Sequence, residues 1–116
     1  MFEVTAEPRY ARLVRTSLAS VAALESFSVD RTGDLRLLAD EVFNALICAG
    51  ARRVVFEADP SGGRVRIVMR AAVTGIVPAH AFDTVERVAE VIAPGFELAV
   101  TDGEAVFAAT VSAAPG

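Results

Sequence analysis

LRLLADEVFNALICA, residues 35–49, decides how the rest of the chain is read. Leu35, Leu38, Ala39, Val42, Leu46 and Ala49 recur at steps of three and four, the spacing of one buried helix face. At about 100° per residue, Leu37, Glu41, Asn44 and Cys48 fall on a neighbouring stripe. That stripe mixes a leucine, a carboxylate, an amide and a thiol. A fully solvated face rarely carries Leu37 with Cys48, and a core face rejects Glu41. The combination fits a pocket wall or a partner surface. Thr32 or Asp34 is the expected N-cap, and Gly50, just past the last periodic residue, is the expected stop.

Upstream, Met1 to Ala6 alternates as a short strand, with Phe2, Val4 and Ala6 on one side. Pro8 then opens a helix running to Leu24, since proline is tolerated in a first turn. Its expected core face is Leu13, Val14, Leu18, Val21 and Leu24. Arg12 and Arg15 are expected almost opposite, with Arg9 at the border. Residues 25–33 read as a connection pinned to the core by Phe27 and Val29.

Downstream, Arg52 to Asp59 reads as a strand, and Asp59-Pro-Ser-Gly-Gly63 as a turn. Arg64 to Arg70 alternates, with Val65, Ile67 and Met69 inward and Arg64, Arg66 and Arg70 outward. After an irregular connection containing Gly75 and Pro78, Phe82 to Ile92 is periodic as a third helix, stopped by Pro94-Gly95. Phe96 to Thr101 and Glu104 to Ser112 alternate around Asp102-Gly103, the strongest two-residue hairpin signal. Residues 113–116 are a short tail. The order strand, helix, helix, hairpin, helix, hairpin predicts one α+β domain over residues 1–116. It is a two-layer sandwich with a mixed, mostly antiparallel sheet and about three helices on one face.

The composition, 53% hydrophobic and 22% charged over 116 residues, supports a packed core and argues against disorder. All eleven basic residues are arginine, and the net charge is −4, which argues against general nucleic-acid binding. No apolar run approaches the roughly 20 residues of a membrane span. The N-terminal stretch lacks a signal peptide's apolar segment, so a cytoplasmic location is expected. One cysteine excludes an internal disulfide and a cysteine-rich metal site. Cys48 is expected as a buried helical thiol, or as a redox sensor if exposed beside a cation. His80, the only histidine, has no neighbouring cysteine or acidic cluster, so no metal site is expected.

Asp34-Leu-Arg-Leu-Leu-Ala-Asp-Glu-Val-Phe-Asn44 resembles the N-box helix of the anti-sigma factor serine kinases, the RsbW and SpoIIAB group of the histidine-kinase-like ATPase superfamily. Tyr10-Ala-Arg-Leu13 is similar to a motif in that group's first helix, and Gly75-Ile-Val-Pro78 to the end of its aspartate-glycine motif. The resemblance implies the same fold over almost the whole chain. It also implies ATP and Mg²⁺ at Glu41, Asn44 and Gly75 if the protein is an active kinase, with Glu41 as the base.

Three departures from the pattern point away from that chemistry. The family's metal-holding asparagine lies four residues after its glutamate, where this chain has Ala45. Asn44 is one residue early, and pairing it with Asp40 instead would shift the leucine pattern. Aligning Gly75 and Pro78 puts Ala71 at the adenine-reading aspartate and Val73 at the first glycine, which removes an acceptor and a close backbone approach. Residues 79–83, Ala-His-Ala-Phe-Asp, supply no lid glycine. The expectation is a degenerate pseudokinase site in which Leu37, Cys48 and Val73 fill a shrunken pocket beside Glu41, with no cofactor. The implied function is sequestration of an alternative sigma factor, ended by a STAS-type anti-anti-sigma protein. Arg12 is the implied partner contact, with Arg9 and Arg15 beside it. Homodimers through the first strand or the uncovered sheet face are also implied. The alternative is an ATP-dependent serine kinase that phosphorylates the antagonist.

Overall fold

A computed structural model describes residues 1–74 and 77–114. The expectation at Gly75, with Ile76 of its motif and the last two residues of the tail, lies outside the described residues. The elements run β1 (Phe2–Thr5), a 3-10 turn (Pro8–Tyr10), α1 (Ala11–Leu24), α2 (Val29–Cys48), β2 (Arg53–Ser61), β3 (Arg64–Ala72), α3 (Asp83–Ile92), β4 (Glu97–Thr101) and β5 (Glu104–Ser112).

The strands form one sheet in the order β1-β2-β3-β5-β4. Every pairing is antiparallel, where the sequence left room for a mixed sheet. Hairpins account for two of the four pairings, β2–β3 and β4–β5, because both tight turns have the geometry that matches strand twist. Gly62 and Gly63 have φ of 57° and 76°, and Asp102 and Gly103 have 46° and 80°. The first turn is shorter than its five-residue signal, since Asp59, Pro60 and Ser61 remain in β2, paired with Arg66, Val65 and Arg64. One buried-side row crosses all five strands through Phe2, Phe56, Met69, Phe107 and Leu98. Phe2 and Phe56 pack with ring centroids 5.1 Å apart.

The three helices cover that face, with α2 packed against both α1 and α3. Leu18, Leu35, Leu38, Val42, Phe43 and Leu46 are essentially sealed from solvent. Among the described residues no polar or charged side chain is buried. This is therefore an α+β two-layer sandwich, with its chemistry-bearing side chains outside the core.

α2 starts six residues earlier than its leucine periodicity indicates. Ser28, not Thr32 or Asp34, is the N-cap, and its Oγ accepts from the Arg31 backbone N–H at 3.0 Å. Gly33 thus lies inside the helix, at a cost of about 1 kcal/mol relative to alanine. Arg31 offsets this. Its guanidinium donates to the Ser112 carbonyl at 2.8 Å, the Ile92 carbonyl at 3.2 Å and Asp34 Oδ2 at 3.2 Å, tying the start of α2 to the end of α3 and to β5. Phe27 packs against the core as expected, whereas Val29, in the first turn of α2, is 88% exposed. At the other end Gly50 takes φ 92°. Its N–H reaches the Ile47 carbonyl and that of Ala51 the Leu46 carbonyl, a Schellman closure.

The core face of α1 is Ala11, Val14, Leu18 and Ala22, with Val21 partly buried. Leu13 and Leu24, expected in the core, are half and largely exposed. The true face follows a three-four-four step through two alanines, where the helix approaches α2 closely. The larger leucines lie more than 100° round from its centre.

Candidate functional site

The stripe on α2 divides along its length. Leu37 lines a groove between α2 and α3 of about 350 Å³, with Asp34, Thr84, Arg87, Val88, Val91 and Ile92. Glu41 is half-exposed, and Asn44 and Cys48 are exposed. None of these three lines any of the main hollows among the described residues. Leu37 and Cys48 are eleven residues apart, roughly 16 Å along the axis. Val73 is buried, and the backbone of the next residue, Thr74, lies close to Gly50, just past the C-terminal end of α2. Gly75, the other residue of the expected nucleotide site, lies outside the described residues. Cys48 is the last residue of α2, past the point where its side of the helix is covered, and so is exposed rather than buried.

Ala71 and Val73 occupy positions where the resembling family has its aspartate and first glycine. Ala71 sits in β3, buried, paired with Ala105. Val73 is buried too, and its N–H donates to the Gly103 carbonyl at 2.8 Å. That donor is committed to the β4–β5 turn. The alternative pairing of Asp40 with Asn44 meets a different obstacle. Asp40 Oδ1 accepts from Arg15 Nη1 at 3.1 Å, on the side of α2 that faces α1.

The same contact changes the arginine reading. Arg15 does not stand opposite the core face; it is half-buried in the α1–α2 seam. Arg9 pairs with Glu7 at 2.9 Å and lies over the Tyr10 ring, 4.9 Å from its centroid. Arg12 is exposed and makes no ion pair among the described residues. Of the three arginines, one is free to meet a partner, one is held locally at the start of α1, and one is a structural bridge. Leu13 and Leu24 add apolar area to the exposed side of α1.

Arg31 is the residue that periodicity missed. Its signal was present in Ser28-Val-Asp-Arg31, a cap residue followed by an acidic first turn, but it was outweighed by the turn-forming look of residues 25–33.

His80 is exposed in a turn. Among the described residues no three His, Cys, Asp or Glu side chains are grouped to hold a metal ion. No helix there is long and apolar enough to cross a membrane. No protein-family model matches the chain, and no curated protein matches it.

Proposed function

We propose that this protein is a regulatory binding protein of anti-sigma type, which sequesters an alternative sigma factor by surface contact without binding ATP. The observation that carries the reading is that every polar and charged side chain among the described residues lies outside the core. Acid, base and phosphate-gripping groups work from desolvated, walled sites. Among the described residues Glu41 is half-exposed and Asn44 exposed, and the Val73 N–H is already used. Recognition by an exposed face needs none of these, and occlusion of a partner follows by mass action.

Arg12 is the proposed anchor, since an unpaired guanidinium beside exposed Leu13 is the combination found at interface hot spots. Arg9 is a neighbour at the rim. Arg15 contributes by holding α1 against α2 rather than by direct contact. A STAS-type antagonist would release the sigma factor by competing for this face. The test is a pull-down against the host's alternative sigma factors. Wild-type protein should retain one of them, and Arg12→Glu should lose at least ten-fold in affinity while keeping its thermal midpoint. Equal retention by Arg12→Glu removes the assignment.

The partner set includes a second copy of the chain, through the open face of the sheet. Half-buried Val55, Val68, Val106 and Ala108 form its centre. The middle strand β3 carries Arg64, Arg66 and Arg70 on this face. Glu57 and Asp59 flank them on β2, and Glu97 and Glu104 lie on the other side. Two such faces stacked with strands crossing near 90° bring the arginine column of each copy over the acidic flanks of the other.

A further inference from the structure

The groove between α2 and α3 is apolar at its floor and acidic along its α2 edge. Leu37, Val88, Val91 and Ile92 line it, and two of them are unusually open for their type, Leu37 at 48% and Val91 at 82%. Asp34 lies at the groove with its charge partly met by Arg31 at 3.2 Å. One turn to either side of Leu37 and Asp34, α2 presents Glu41 and Asp30. On α3, Asp83, Glu86 and Glu90 lie beyond Arg87, about 80–140° round the helix from Val91. Asp30, Glu41, Asp83, Glu86 and Glu90 make no ion pair among the described residues.

The one cation in the groove is Arg87, whose Nη2 donates to Thr84 Oγ1 at 3.4 Å on its own helix. Arg36 follows a different course, about 100° round α2 from Leu37. The carboxylates of Asp30 and Glu41 are therefore unanswered among the described residues. They border, on the α2 side, an open apolar strip between two helices, the shape that receives the apolar side of a third helix.

We infer that the α2–α3 groove docks a basic amphipathic helix of a partner protein. Leucine-sized residues at i, i+3/i+4 and i+7 would fill the strip over Leu37, Val88 and Val91. Lysines or arginines along one flank would meet Asp30 and Glu41 on α2, and the other flank would carry polar residues beside Arg87. This site is independent of the Arg12 surface. It lies on the α3 side of α2 and carries the opposite charge, so failure of either assignment leaves the other standing.

The test uses a lactam-stapled peptide with leucines at i, i+4 and i+7 and arginines along one flank, and an analogue with glutamates along that flank. Fluorescence anisotropy against the full chain should give micromolar binding of the basic peptide. Affinity should fall steeply with salt, and the acidic analogue should bind at least ten-fold more weakly. Leu37→Gln and Val91→Gln should each weaken the basic peptide about ten-fold with an unchanged thermal midpoint, because both side chains are exposed. Val100→Gln, exposed on β4, should bind as wild type. Asp30→Asn with Glu41→Gln should flatten the salt dependence. The proposal is overturned by absence of binding, by equal binding of the two peptides, or by indifference to Leu37→Gln and Val91→Gln. It is also overturned by concentration-dependent self-association that Leu37→Gln abolishes, which would make the occupant a second copy of this chain.

Discussion

Ser28 and Arg31 hold the end of α2 that its leucine pattern leaves out. Ser28 satisfies one of the free N–H groups of the first turn, and its replacement by alanine should cost about 0.5–2 kcal/mol. Arg31 does more, since its guanidinium serves two backbone carbonyls from other elements and is only 11% exposed. Arg31→Met keeps the stem and removes the donors, and should destabilise the protein by about 2 kcal/mol in chemical denaturation. A change under about 0.5 kcal/mol would mean that water replaces those bonds without loss. Both residues were visible in the sequence, but single polar side chains leave no periodic trace. Their roles depend on carbonyls 61 and 81 residues away. Local pattern has no access to such partners, and Gly33 in the same segment argued for a loop.

At the scale of elements, legibility followed how strongly each buried face repeats. β3 and β5 alternate without exception, and α3 shows Val85, Ala89 and Ile92 buried where its spacing placed them. α1 was misread because leucine is weighted over alanine, whereas close helix packing puts Ala11 and Ala22 inside. The corrected face makes a prediction. Leu18→Ala, fully buried, should cost about 2–5 kcal/mol, while Leu13→Lys and Leu24→Lys should each stay within about 0.5 kcal/mol of wild type by thermal or urea unfolding. Large losses from the two lysine variants would restore the original face. The α2 stripe was legible as half-polar, but not as open. Whether a mixed stripe lines a cavity depends on where the neighbouring helix lies. α3 covers α2 at Leu37 and leaves Asn44 and Cys48 bare.

For the whole molecule, turn chemistry carried part of the topology. Gly62-Gly63 and Asp102-Gly103 impose the β2–β3 and β4–β5 hairpins, while the β1–β2 and β3–β5 pairings form across the helical connections that cover one face. The other face stays open, with a valine centre inside charged flanks. If two copies stack there, light scattering should report a dimer that Val68→Glu dissociates without unfolding, and a monomer at all concentrations would contradict the stacking. Among the described residues no polar side chain lies in the core, and the proposed function accordingly places recognition at the surface. Calorimetric titration with Mg²⁺-ATP tests that claim most directly. The account predicts no saturable heat at millimolar nucleotide; micromolar binding lost in Glu41→Ala would contradict it and make the α2 flank a working nucleotide site.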